Sequence, residues 1–570
     1  MWMPAAETQS VRRFIMMKAH ALPLQFNRLL SVTIALALLA LNVVTPARPA
    51  TRAAGELRSV IVQGVNADSV AAAVIRAGGT VTSRLPLIRG VAAWLPLSAL
   101  AQLRAEASVS SITPNAAVTA DGDKRGDDRP DADKAARNGL PATDYPDVIG
   151  ADVVWAQGVT GQGVTVAVVD TGLDRHVGLV RGSESNRNRI VGWVDFVDGR
   201  RLPHDPNGHG THVAGVIANS QVGADGEWNG VAPGVNLVGV RVMDRNGAGT
   251  YERVIQGIQW VVENRARLNI RVVNLSLSAP AQSPYFADPL NQAVTAAWAS
   301  GLVVVTSAGN DGPRATTVGV PGNNPYIITV GAFTDAYTPA DWGDDYIPDW
   351  SASGPTYDRF IKPDLVAPGG HIVSTMNPDA QFARDNPDGR RPRGYFSMSG
   401  TSQAAAAVSG VAALMLAHNA GLTPDQVKHR LHMTSLPQFD PATGAAGYSV
   451  WRQGAGRVMA PEAVFAEVSG AANVGLNAEA DLTGVEHYMG RSYYDAAAGV
   501  FRLRGDETGA WAGGGAVWNG VDAGYSGGVW ADGGVWADGG VWADGGVWAD
   551  GGVWADGGVW ADGGVWAGGG

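Results

Sequence analysis

An α/β fold is predicted, a mostly parallel sheet between helices, and three observations predict it. Two continuous β-branched runs, Val164-Thr165-Val166-Ala167-Val168-Val169 and Leu302-Val303-Val304-Val305-Thr306, end in Asp170-Thr171-Gly172 and Ser307-Ala308-Gly309-Asn310. Runs this apolar suit central parallel strands covered on both faces, and polar groups at their C-terminal ends lie where open α/β sheets place their sites. The third is Gly394-Tyr395-Phe396-Ser397-Met398-Ser399-Gly400-Thr401-Ser402, a small-residue turn leading through Gln403 and Ala404–Ala407 into Val411-Ala412-Ala413-Leu414-Met415-Leu416. This reads as a tight turn entering a buried helix. A small α+β domain precedes the α/β domain, and a Gly/Trp-rich repeat tail follows it.

The chain has 570 residues, enough for two or more domains, and 45% hydrophobic content supports a sizeable core. Its 42 basic and 53 acidic residues give a net charge of −11, which argues against a nucleic-acid partner. There is no Cys, so disulfides, catalytic thiols and thiolate metal sites are excluded.

In chain order, Lys18 and Arg28 precede the apolar run Leu29–Val44. Its length and flanks fit a cleavable secretory signal over residues 1–50, with an uncleaved anchor as the other reading. Residues 51–120 pattern as β-α-β-β-α-β, a ferredoxin-like split βαβ unit: strands near Arg58–Gln63, Thr80–Arg84, Gly90–Leu95 and Val109–Thr113, with helices at Ala67–Ala77 and Ser98–Arg104. Residues 121–139 are charged and lack large apolar side chains, as a solvated linker does.

Within residues 140–460 the polar candidates are spread along the chain. Asp170 ends a strand and can equally cap the next turn. His204, Asp205, His209 and His212 crowd one stretch. Two readings compete: a zinc cluster, and a single proton-shuttling His209 at a helix start with His212 packed behind it. Asn310 carries a neutral amide donor suited to an oxyanion, or simply belongs to a Gly-rich turn. Ser402 can cap its helix or act as a nucleophile at the helix N-terminus.

Taken together and in order, Val168–Gly172, His209–Gly215, Ser307–Asn310, Lys362–Gly369 and Ser399–Ser402 resemble the motifs of the subtilisin-like (subtilase) serine proteases over residues 140–460. The Asp, His, Ser order is the one known for subtilisin. The resemblance implies a seven-stranded sheet and a secreted serine endopeptidase with Ser402 as nucleophile, His209 as general base and Asp170 orienting it. It also implies Asn310 in the oxyanion hole, and Ser276, Leu277 and Ser278 as a substrate-pairing strand. Ser278 stands where the family usually has Gly, which either narrows the first specificity pocket or shifts the strand. Gln403–Ala407 departs from the family's usual Met-Ala-(Ser/Thr)-Pro-His.

Further expectations follow from the resemblance. The small domain resembles an inhibitor-type propeptide that the enzyme removes itself, near Ala116 to Ala120 or in the linker, with a non-inhibitory adhesion domain as the other reading. Structural calcium is expected, with Asp195, Asp198, Asn219 and Asp225 as candidate ligands on two loops; no cofactor serves catalysis. Partners are protein or peptide substrates and the chain's own propeptide. Residues 461–526 form an extension with a β-hairpin near His487–Arg504. Residues 527–570 repeat Gly-Gly-Val-Trp-Ala-Asp, placing Trp530, Trp536, Trp542, Trp548, Trp554, Trp560 and Trp566 at period six. The tail reads as a flexible spacer, or as an aromatic surface that binds cell envelope, polysaccharide or itself. The competing reading of the whole is a surface-binding protein whose tail is its functional part.

Overall fold

A computed structural model describes residues 56–120, 140–182, 188–438, 447–497, 499–503 and 516–517. The leader, the charged linker and the repeat tail lie outside these residues. Among the described residues, no helix is long and apolar enough to cross a membrane.

The small N-terminal domain comprises β1 (Leu57–Gly64), α1 (Ala67–Arg76), β2 (Thr80–Leu85), β3 (Gly90–Pro96), α2 (Leu100–Arg104) and β4 (Val109–Pro114). Its antiparallel sheet has the order β2-β3-β1-β4. Asn66 caps α1 by accepting from Ser69 N at 2.9 Å. Alternation along β1 assigns its two faces. Val60 and Val62 pack with Val70, Val74 and Leu103 in the domain's own core. Ile61, with Leu85, Ile88 and Ala92, joins the core of the large domain. The sheet is therefore apolar on both sides and is covered on the second side by α4 (Tyr251–Leu268) and α5 (Pro289–Ala299), in line after α3 (His209–Ala218).

Strand β5 (Ala117–Ala120) leaves the small domain. There follow β6 (Thr165–Asp170), β7 (Ile190–Asp195), β8 (Asn236–Arg241), β9 (Ala248–Thr250), β10 (Ile270–Leu275), β11 (Leu277–Ser278), β12 (Val303–Ser307), β13 (Ile328–Phe333) and β14 (Leu365–Pro368). All of β6 to β14 except the short β9 and β11 form one seven-stranded sheet, in the order β14-β13-β12-β10-β6-β8-β7, with every pairing parallel. Every residue of β6, β12 and β13 is buried, as their unbroken apolar runs require.

One helix, α6 (Thr401–His418), runs through the middle, buried from Thr401 to Leu416 and packed on α3 and on β10, β12 and β13. Hydrophobic residues on all sides are the signature of such a fully enclosed helix. Glycine permits the close approach of α6 to the segment before β8: a Cβ at Gly410 would lie 2.6 Å from Val231 Cβ. Beyond the sheet, Ser492–Asp495 and Val500–Leu503 pair as an antiparallel hairpin.

This packing predicts that Gly410→Val overpacks the core and lowers unfolding free energy by ~1–3 kcal/mol. Gly421→Ala is the contrasting change: the new Cβ has only Asn419 Oδ1 near it, at 3.3 Å. It should shift stability by less than ~0.5 kcal/mol. Denaturant melts of the two variants check the pair.

Candidate active site

Asp170, the last residue of the central strand β6, is fully buried. A buried carboxylate needs compensating donors. Its Oδ1 accepts from Thr171 N at 2.6 Å and lies 2.8 Å from His209 Nδ1. His209 is the first residue of α3 and is 1% exposed. Gly208 before it has φ 106°, a left-handed turn that a side chain would strain.

Asp205 sets the geometry of this turn, a role the sequence reading does not assign. Its Oδ1 accepts from Thr171 Oγ1 at 2.9 Å and Gly208 N at 2.8 Å, and its Oδ2 from Thr211 N and Thr211 Oγ1, both at 2.8 Å. Thr171 Oγ1 in turn accepts from Gly210 N at 2.9 Å. One carboxylate thus ties the end of β6 to the first turn of α3, where negative charge is favourable. The available signal was Asp four residues before His209 at a helix start.

The three histidines go to three different partners. His209 faces Asp170. His212 Nε2 lies 3.0 Å from the Phe396 carbonyl oxygen, and its Nδ1 is 3.4 Å from Gln403 Nε2. His204 Nε2 lies 3.3 Å from Arg241 Nη1. His212 is fully buried, and desolvation pulls its pKa from 6.5 to about 3, so its ring stays neutral. The contact with Gln403 brings the first turn of α3 against the first turn of α6, one residue from Ser402. Gln403 therefore has a partner in the fold.

Ser402 is the second residue of α6 and is fully buried. Its Oγ donates to the Ser276 carbonyl at 3.4 Å, and Ser276 Oγ donates to the Ser402 carbonyl at 3.0 Å. Ser276 Oγ also lies 3.0 Å from Asn274 Oδ1, and Asn274 Nδ2 donates to Ser409 Oγ at 3.0 Å. This buried polar chain joins the β10–β11 strand to two turns of α6. Asn310 is oriented from the same helix: its Oδ1 accepts from Thr401 N at 3.0 Å and Thr401 Oγ1 at 2.9 Å. Its carbonyl oxygen is thus committed to the first residue of α6. Carboxylate and imidazole thus meet where β6 ends and α3 begins, hydroxyl and amide where α6 begins and β12 ends, and the two helix starts touch through His212 and Gln403. Such an arrangement can abstract a hydroxyl proton and hold a developing oxyanion.

Alongside lies a three-stranded ribbon, β11-β5-β9. Leu277 pairs with Ala120 and Ser278 with Thr119; on the other edge Ala117, Val118 and Thr119 pair with Thr250, Gly249 and Ala248. Leu277 and Ser278 therefore border an extended segment of the same chain, and Ser276 precedes them with its contacts to Ser402. Just beyond Ser278, Ala279 exchanges backbone bonds with Val320 at 2.9 and 2.8 Å. A Cβ built at Gly319 would come within 3.3 Å of Ser278 Cβ, so the serine faces that wall.

For metals, two groups among the described residues bring three donor side chains together: Asp144, Asp335 and His371, and Asp195, Asp198 and His204. Arg241 Nη1 already occupies the second, 3.0 Å from Asp195 Oδ2 and 2.6 Å from Asp198 Oδ2. Burial raises the Asp195 pKa, but the amides of Asp198, Val197 and Arg200 together with Arg241 outweigh it and leave the pKa lowered. Asn219 and Asp225 belong to neither group. Asn219 Oδ1 accepts from Gln221 N at 3.0 Å and its Nδ2 donates to Tyr395 OH at 2.8 Å, while Asp225 Oδ1 accepts from Glu227 N at 3.0 Å.

The arrangement matches a known family. The subtilase family model covers residues 161–458. The chain belongs to the subtilase family. It is 41% identical over 280 residues to serine protease AprX of Bacillus subtilis (strain 168), a match covering 48% of this chain and 62% of AprX. It is 34% identical over 293 residues to subtilisin DY of Bacillus licheniformis, covering 50% of this chain and 89% of that subtilase. The crystal structure of fervidolysin from Fervidobacterium pennivorans, described as a keratinolytic enzyme related to subtilisin, shares the fold. Its TM-score is 0.57 at 24% identity, over 74% of this chain and 62% of fervidolysin. The matches thus span less than two thirds of AprX and of fervidolysin.

The neutral buried His212 of this subtilase predicts acid sensitivity. Its folded pKa is depressed below its unfolded value, so stability is lost as pH falls from 6.5 towards about 3. Between about pH 6 and about pH 4, Ser402→Ala protein should lose ~1.4 kcal/mol per pH unit more than Ser402→Ala/His212→Gln protein. Parallel urea-unfolding profiles would contradict this.

Proposed function

We propose that this subtilase is an exported serine endopeptidase, made as a precursor that cuts itself, and that β5 is the first segment to occupy its cleft. The observation that carries the reading is the ribbon: Ala117–Ala120 lies as an extended strand between β9 and β11, beside Ser402. Pairing through backbone N–H and C=O is β-augmentation, which accepts many sequences.

In this reading Ser402 Oγ attacks the scissile carbonyl while His209 Nε2 takes its proton. Asp170 keeps the imidazole in the tautomer with its proton on Nδ1 and stabilises the cation that forms. Asn310 Nδ2 and the Ser402 N–H bind the oxyanion; removing one such donor costs about 2.7–4 kcal/mol, a magnitude that comes from subtilisin itself. His209 then protonates the leaving amine, the acyl-enzyme forms, and water releases it by the reverse steps. The reading is further supported by Val118, fully buried within the ribbon, which favours apolar side chains at that substrate position. Ser278, facing Gly319, favours small side chains next to the cut bond.

The small domain serves as the propeptide. It satisfies part of the large domain's backbone: Asn115 Oδ1 accepts from Glu252 N at 2.9 Å and the Ala116 carbonyl from Tyr251 N at 3.0 Å, at the start of α4. Those are helix N-terminal donors without intrahelical partners. Gln63 Nε2 adds a bond to Gln292 Oε1 at 2.7 Å. Supplying these contacts assists folding and places β5 in the cleft. Structural calcium remains part of the reading; on the candidate loops the acidic and amide groups have Arg241, Tyr395 and backbone amides as partners.

Ala120 pairs with Leu277, the neighbour of Ser276, and in this reading the cut falls within a few residues after Ala120. Expression of the full chain without another protease, followed by mass spectrometry of both ends, tests this. Self-processing gives a mature N-terminus a few residues past Ala120, while Ser402→Ala accumulates uncut. Normal maturation of Ser402→Ala would refute self-processing.

A further inference from the structure

Arg189 is a buried charge that the chemistry above does not use. It precedes β7 and is 4% exposed. Its Nε donates to the Arg181 carbonyl at 2.8 Å. Nη1 donates to the carbonyls of Pro233 at 2.9 Å and Val235 at 3.0 Å. Nη2 faces the carbonyls of Gly178 at 2.5 Å and Ala218 at 2.8 Å, and Ser220 Oγ at 3.1 Å. None of these six acceptors is a carboxylate. A guanidinium has five N–H donors in a rigid plane, and here all are directed at oxygen. Burial lowers its pKa to about 10, which leaves it charged at neutral pH.

Isolated buried cations are costly, and such a cluster of carbonyl dipoles is the kind of cage that offsets the cost for a metal ion. The carbonyls come from three places: the Val177–Val180 helix with Arg181, the C-terminal end of α3 with Ser220, and the turn before β8. Ala218 closes α3, so the cation also sits at the negative end of the helix whose first residue is His209. Asn219–Gly226, the loop leaving that end, is one of the two where the sequence suggests calcium. Space is tight there: a Cβ at Gly178 would lie 1.9 Å from Asn219 Oδ1.

We propose that Arg189 is a built-in cation that organises the 218–235 region, filling an oxygen cage in place of a divalent metal, so that the loop at 219–229 keeps its structure without calcium. Arg241, among Asp195, Asp198 and His204, plays the same part at the other candidate loop.

The test is hydrogen exchange of residues 219–229 in the full-length Ser402→Ala precursor, which cannot digest itself. With Arg189 present, EDTA and added calcium should leave exchange there unchanged. Arg189→Met, which keeps the stem without the charge, should speed it by ~10-fold or more. Arg189→Lys, which restores a cation, should stay closer to the parent and covers the case in which the Met variant does not fold. Faster exchange on EDTA with Arg189 in place, a Met variant at the parent rate, or Lys as fast as Met would each overturn the proposal.

Discussion

The structure depends on keeping the carboxylate of Asp170 buried. A charge at 0% exposure in a sheet of Val and Ala is tolerated only with donors fixed around it. The Thr171 amide and His209 Nδ1 are those donors. This requirement fixes where α3 starts, and Asp205 enforces it by bonding both sides of the junction. Helix α6 then meets α3 at its first turn, where Gln403 Nε2 lies 3.4 Å from His212 Nδ1. Polar groups far apart in sequence converge because the central parallel strands all end on the same side.

The same economy shapes the cleft. Strands β9 and β11 are too short to be stable alone, and each presents an unpaired edge to the other. With β5 between them both edges are paired. The small-domain sheet is two-faced: Ile61, Ile88 and Ala92 bury against the large domain, while β5 pairs with β11.

Much of this was legible in the sequence, for identifiable reasons. Unbroken Val runs mark buried strands because no alternative burial suits them, and Asp170 and Asn310 stand at their ends. His212 separates from His209 because the helix start points one ring at Asp170 and turns the next into the core. Asp205, Asn274 and Ser409 were not legible as positioning groups. Their importance lies in long-range bonds, such as Asn274 to Ser409, that no local spacing encodes. Arg189 was hidden for a related reason, since its acceptors are backbone carbonyls, which any sequence has. The calcium reading of the Asp195–Asp198 and Asn219–Gly226 loops rested on acidic and amide side chains, and in the fold those are occupied by Arg241, by Tyr395 OH and by local backbone amides.

The central claim is that Asp170, His209 and Asn310 make Ser402 a nucleophile once β5 leaves the cleft. Labelling with a serine-reactive fluorophosphonate, mapped by peptide mass spectrometry, tests it most directly. Matured protein should carry the label on Ser402, and the same preparation with His209→Ala should carry essentially none. Matured, folded protein that takes no label at Ser402, or that labels equally without His209, would contradict the account.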